Sequence, residues 1–137
     1  MYVQDNDEYF PASLTWVDEI GSYVSDKDDI FSCPSDRDTI SPTSYAINSN
    51  LTNQGFSGIS HPSIFPVFFD RNTTGASSSY FAGCPPSAPN DPADPFYYVF
   101  CSDRHSGGTN FLFLDGRAAW VSKPANAGID VLNFDTR

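Results

Sequence analysis

His105 and Asp115 stand with nine residues between them in RHSGGTNFLFLDGRAAWV, residues 104–121, and an imidazole with a carboxylate is the pairing that general-base catalysis uses. Such a base must come within about 3 Å of the group it deprotonates, and its orienting carboxylate must lie as close to the other ring nitrogen. The intervening residues oppose this. NFLFL, residues 110–114, reads as a strand roughly 16 Å long at ~3.3 Å per residue, with Asp115 at its tip and His105 beyond its other end. Ser106 to Thr109 would have to double back along most of that strand to close the gap. No catalytic pair is therefore expected, and His105 reads as a loop histidine bonded to nearby backbone. Gly107-Gly108 lacks the lysine and the strand-then-helix setting of a phosphate cradle, so it reads as a turn.

Other chemistry-bearing residues are few. Cys33, Cys84 and Cys101 are odd in number and form no CxxC, and with only His61 and His105 beside them a zinc pattern is poor. One disulfide and one leftover thiol is the plain reading. Three pairings stay open, although Cys84 and Cys101 flank one proline-rich excursion that they could close. His61 sits in SHPS, where the following proline favours an extended backbone, and no GxSxG elbow occurs, so a hydrolase is remote. Asp5, Asp7 and Glu8 offer hard oxygen ligands suited to calcium but lack EF-hand spacing; a solvated acidic turn is the alternative. Asn50-Leu51-Thr52 and Asn72-Thr73-Thr74 are N-glycosylation sequons in turn-rich stretches, the second preceded by Asp70 in the manner of an extended bacterial acceptor.

These residues must be positioned by a chain of 137 residues, enough for one domain with its own core. Phe, Tyr and Trp number 12, 7 and 2, and aromatics of that weight favour sheet. Seven Lys and Arg against 17 Asp and Glu give a net charge of -10, which disfavours nucleic acid and anionic membrane surfaces as partners. No stretch approaches the ~18 apolar residues of a membrane helix, and no signal-peptide pattern opens the chain.

Leu14, Val17, Ile20 and Val24 recur at helical spacing in residues 12–25, with Thr15 and Asp18 at capping-box distance. Residues 30–62 are rich in Pro, Ser, Asp and Asn and read as mostly irregular. SIFPVFFD, 63–70, has strand length, and Pro66 makes it an edge or bulged strand. Residues 71–95, with five prolines, read as a long surface loop, FYYVFC at 96–101 as a buried strand, and Ile129 to Phe134 as a weak one. Asp115-Gly116 between apolar runs predicts a two-residue type I′ hairpin, with Phe113 opposite Ala118 and Phe111 opposite Trp120. Alternation then puts Phe111, Phe113, Ala118 and Trp120 on one face and Leu112, Leu114, Ala119 and Val121 on the other. Both faces are apolar, so both are expected to be covered, one by a helix and the other by loops or a neighbouring subunit.

In order, MYVQDNDEYFP, a short Trp-containing helix, IFSCPSD, SYAIN, VFFD and the His-x9-Asp-Gly segment of His105, Asp115 and Gly116 resemble the globular part of pilin-like proteins of the type II secretion pseudopilin class. The resemblance spans nearly the whole chain, and it implies an α+β head: an N-terminal helix packed on an antiparallel sheet of about four strands, with long irregular loops. That family carries a cleaved leader and a long hydrophobic helix, neither of which stands in these residues. The chain is therefore expected to be a head domain, with Met1 an internal methionine or an artificial start. The implied function is that of an extracellular or cell-surface (in the pseudopilus case periplasmic) structural subunit rather than an enzyme. It would work through contacts with copies of itself or related subunits in a pilus or pseudopilus, without a cofactor unless calcium binds. The alternative is a secreted carbohydrate- or surface-binding module, motivated by Tyr80, Phe81, Tyr97 and Tyr98 near the loops.

Overall fold

The computed structural model describes residues 2–12, 15–37, 43–51, 54–59, 61–63, 65–71 and 104–122. Its centre is a four-stranded antiparallel sheet in the order β1-β2-β3-β4, made of Tyr45–Ile47, Pro66–Asp70, Gly108–Phe113 and Ala118–Ser122. Three short helices precede it: α1 Tyr2–Asp5, α2 Trp16–Gly21 and α3 Lys27–Ile30. The α+β class and, among the described residues, a count of four strands match the sequence expectation, and one of the four is a strand that the sequence did not announce. Tyr45–Ile47 lies in the stretch read as irregular, and it becomes a strand by pairing Ala46 with Phe69 and Ile47 with Phe68. Three residues are too short to show a period in sequence. The expected strand at 96–101, the weak one at 129–134 and the loop beyond Arg71 lie outside the described residues.

Of the two readings of Pro66 the bulged strand stands: Pro66 opens β2, an interior strand, and its missing N–H falls at a register shift between Pro66 and Phe68. At the hairpin, Asp115-Gly116 does not form a type I′ turn. Gly116 N–H bonds the Phe113 carbonyl at 2.9 Å, Phe113 N–H bonds the Arg117 carbonyl at 2.8 Å, and only Gly116 takes a positive φ, of 85°. This is a three-residue loop, a type I turn closed by a glycine bulge. The extra residue slides the pairing by one, so that Phe111 faces Ala119 and Asn110 faces Trp120. A one-residue slip carries every side chain of β4 to the opposite face.

One face of the sheet therefore carries Phe69, Phe111 and Phe113, all buried, with Phe69 and Phe111 centroids 5.8 Å apart. On the other face Ile47, Phe68 and Tyr45 meet the helix layer. Trp16 packs edge-on to Phe31 at 5.6 Å and against Phe68 at 5.0 Å, with Val17, Ile20 and Val24 beside it. Trp16 is 2% exposed and is the anchor of α2, a role that the predicted stripe of Leu14, Val17, Ile20 and Val24 passed over. Among the described residues the helix layer lies over β1 and β2, and on the same face of the hairpin Leu112 and Trp120 are 37% and 50% exposed.

Thr15 stands at the N-cap of α2 without a side-chain cap bond, and its hydroxyl donates to Glu19 instead, so the Thr15–Asp18 capping box does not form. Glu19 also accepts from the Tyr2 phenol, which ties α1 to α2. Burial pushes the Glu19 carboxyl up, but the hydrogen bonds from Thr15, Tyr2 and the Ala12 backbone outweigh it and hold the group below its usual range. The Tyr2 phenol is pushed up to about 12, first by its bond to Glu19 and then by burial.

Glu19, depressed when folded, contributes stability above its unfolded pKa and loses it as pH falls through the folded value; Tyr2, raised when folded, contributes below its unfolded pKa of about 10 and loses it as pH climbs. A spectrophotometric tyrosine titration should therefore find one phenol ionising near 12, and Glu19→Gln should bring it back toward the others. Two glycines separate backbone strain from steric overlap. Gly116→Ala meets nothing within 4 Å and should cost about 1–2 kcal/mol through its left-handed φ alone. Gly108→Ala would set a Cβ 2.4 Å from the Trp120 ring and 2.5 Å from the Val121 carbonyl and should cost about 1–3 kcal/mol by overpacking. Urea unfolding measures both, and Gly116→Asn should recover most of the first loss because asparagine tolerates that region.

Candidate functional site

The structure leaves His105 and Asp115 at opposite ends of β3, as the strand length requires. Asp115 caps its own turn by accepting from Arg117 N–H at 3.0 Å, and its N–H bonds the Pro62 carbonyl at 3.3 Å. Arg117 lies over the Phe113 ring at 4.1 Å and donates to the Ser63 carbonyl at 2.7 Å, so the hairpin tip is docked on residues 62–63. His61, expected to be extended, has a φ of 60°; the preference imposed by the following proline yields to this docking of the chain just after it.

His105 is placed by the turn read at Gly107-Gly108, and it is here, not at Asp115-Gly116, that the type I′ form occurs. Ser106 and Gly107 have φ of 57° and 78°, and Gly108 N–H bonds the His105 carbonyl at 3.2 Å. Positive φ at both central positions makes this a type I′ turn. The same carbonyl accepts from the Trp120 indole at 2.8 Å, which fixes the histidine's backbone against β4. Its ring then points toward two residues distant in sequence: Nε2 lies 3.4 Å from Cys33 Sγ and 3.4 Å from Asp70 Oδ1.

Cys33 begins a β-turn, CPSD, in which Asp36 N–H bonds the Cys33 carbonyl at 2.8 Å and Pro34 supplies the fixed φ. The turn is laced to the lead-in of β1: Ser44 Oγ accepts from Cys33 N–H at 2.9 Å, and Ser44 N–H bonds the Phe31 carbonyl at 2.8 Å. Asp70 ends β2, is 1% exposed, and receives Asn110 N–H on Oδ2 at 2.7 Å. Its other oxygen, Oδ1, is buried with no hydrogen bond. Arg104, next to the histidine, forms a buried ion pair with Asp36 and donates to the Arg71 and Ser44 carbonyls. The segments CPSD and RHSGG thus meet twice, through Arg104–Asp36 and through His105–Cys33. Tyr45 borders the cluster: burial lifts its phenol above the ordinary range, the Cys33 and Asp70 side chains push the same way, and Arg104 opposes them.

Among the described residues, Cys33, Asp70 and His105 are the group of three His, Cys, Asp or Glu side chains whose ligand atoms lie within 4.8 Å of one another. Asp5, Asp7 and Glu8 are not gathered in this way. They are exposed, and Asp7 and Glu8 turn the chain at the end of α1 with φ of 53° and 65°. Asn50 lies in a 3-10 turn, Ser49–Leu51, with its N–H on Asn48 Oδ1 at 3.1 Å and the next residue, Leu51, fully buried. Asn72, Cys84 and Cys101 fall outside the described residues, as do Tyr80, Phe81, Tyr97 and Tyr98. Cys33 is free and buried.

From the sequence, His105 and Cys33 each stood out, but nothing joined them to each other or to Asp70. Cys33 and His105 are 72 residues apart, so no spacing rule links them. The available signal was chemical: an aspartate closing the apolar run VFFD has to find partners inside the sheet. No protein-family model, curated protein or solved structure matches this chain. No helix of the described residues is long and apolar enough to cross a membrane.

Asp36→Ala strands the Arg104 guanidinium in a site where the two side chains are 5% and 9% exposed, and it should cost about 3–5 kcal/mol in urea unfolding. Adding Arg104→Met should return part of that loss, because the uncompensated charge is then gone. A pair that were merely superficial would show neither effect.

Proposed function

We propose that this chain is the head of a pilin-like structural subunit of the type II secretion pseudopilin class, extracellular or cell-surface, working through contacts with copies of itself or related subunits and not through turnover. One observation carries this reading: the residues of the His-x9-Asp-Gly segment are consumed by the fold. His105 joins the β3 end to the CPSD turn, while Asp115 and Gly116 close the β3–β4 hairpin on residues 62–63. Its histidine and carboxylate serve separate ends of one strand, which is the use a scaffold makes of them.

The hairpin's outward side chains supply a contact surface of the required kind. Leu112 and Trp120, 37% and 50% exposed, stand on a rigid paired ribbon, and large apolar groups on such ribbons favour protein association. The acidic balance, with a net charge of -10, favours solubility outside the contact.

The gene carrying this chain, expressed in its own cells with a photoreactive residue in place of Leu112, provides the test. Surface filaments labelled by antibody to the head, with cross-links between neighbouring subunits, are the expected result. Dispersed protein without subunit cross-links, or glycan binding by the isolated chain, would overturn the proposal in favour of a binding module.

A further inference from the structure

Three lone-pair donors converge at the His105 end of β3. His105 Nε2 faces Cys33 Sγ at 3.4 Å and Asp70 Oδ1 at 3.4 Å, and the three atoms lie within 4.8 Å of one another. Neither protonation state of Nε2 meets both neighbours well. A protonated Nε2 has one N–H, which cannot point along both directions, and 3.4 Å is longer than the 2.7–3.2 Å of a sound N–H···O bond. An unprotonated Nε2 that accepts from the thiol turns its lone pair toward a carboxylate oxygen that is buried without a hydrogen bond. A cation at the centre answers all three at once.

We infer that Cys33, Asp70 and His105 form a binding site for one divalent transition-metal ion, zinc being the best match. The donor set of thiolate, imidazole and carboxylate is the mixture that Zn²⁺ accepts and that calcium, an oxygen-seeking ion, does not. The spacing agrees. Tetrahedral zinc holds sulfur at about 2.3 Å and nitrogen or oxygen at about 2.0 Å, which places neighbouring ligand atoms about 3.3–3.6 Å apart. The two edges that meet at Nε2, both 3.4 Å, fall within that range, and the third is no longer than 4.8 Å.

Asp70 is oriented at the ligand group itself: Asn110 N–H holds Oδ2, a contact of the kind that presets ligand geometry and raises affinity. Cys33 and His105 are fixed through their backbones, by Ser44 Oγ on the Cys33 N–H and by the Trp120 indole and Gly108 N–H on the His105 carbonyl. The His105 side chain is 26% exposed while Asp70 is 1% exposed, so the fourth coordination position opens on the histidine side, to water or to a donor from another molecule. Zinc there would join three segments centred on residues 33, 70 and 105, whether or not the chain belongs to a filament.

The test uses the purified 137-residue chain, reduced and stripped by a chelator, with its fold followed by circular dichroism. Zinc should bind at about one equivalent and raise the melting temperature. Cobalt should give tetrahedral d–d bands with a thiolate-to-cobalt charge-transfer band, retained in His61→Gln and lost in Cys33→Ser, with the d–d bands altered in His105→Gln. Asp70→Asn keeps an acceptor for Asn110 N–H and should weaken binding by roughly tenfold or more. X-ray absorption on the zinc-loaded wild type should show one sulfur at about 2.3 Å with nitrogen and oxygen neighbours, a readout that needs no variant to fold. Folded, reduced protein that takes up no zinc, a charge-transfer band surviving in Cys33→Ser, or a zinc shell without sulfur would each overturn the site.

Discussion

A carboxylate that is 1% exposed at the end of a strand is the constraint around which this protein is organised. Burying such a charge costs several kcal/mol unless its oxygens are answered. Asp70 has one oxygen on the Asn110 backbone, which ties the end of β2 to β3, and the other turned to the ring of His105. The first contact holds two strands together where their pairing runs out. The second draws in the tight turn at 105–108, and through Cys33 the CPSD turn that follows α3. Arg104 and Asp36 join the same two segments by a buried ion pair, so a loop with little regular structure of its own is held by buried polar groups.

This junction explains how a thin helical layer suffices. α2 is only six residues long, and its grip on the sheet comes from Trp16 set between Phe31 and Phe68. Phe31 in turn stays in place because its carbonyl is held by Ser44 and because Cys33, two residues on, is fastened to β1 and β3. The helical layer therefore ends over β2. The hairpin beyond it carries Leu112 and Trp120 outward, while its inner aromatics, Phe111 and Phe113, are 1% and 3% exposed. One ribbon thus supplies filling for the interior on one face and exposed apolar side chains on the other.

Much of this was legible in the residues. Alternation in NFLF marked β3, the apolar run VFFD marked β2, the turn residues before β4 marked a hairpin, and the length of β3 alone separated His105 from Asp115. Identities and approximate boundaries of strands follow from side-chain periodicity, because a period of two is a local property of the chain. Registers do not follow so directly. Asp-Gly suits a two-residue type I′ turn as well as a type I turn with a glycine bulge, and the two differ by one residue of slip. The docking of Asp115 and Arg117 on the carbonyls of residues 62 and 63 accompanies the longer loop, and with it the slip that turns Trp120 outward.

The sequence by itself determined the sheet-forming character, the aromatic interior, the acidic surface and the separation of the two motif ends, since each rests on composition or on distance along one strand. Tertiary structure alone decided which residues share a site. Cys33, Asp70 and His105 come from a turn, a strand end and a tight turn far apart in the chain, and they meet only after β2 has paired with β3 and the CPSD turn has been laced to the edge of β1. Contacts of that kind depend on strand order and register, which no pattern within a short window encodes; a buried carboxylate can announce that it needs partners, but only the folded chain names them.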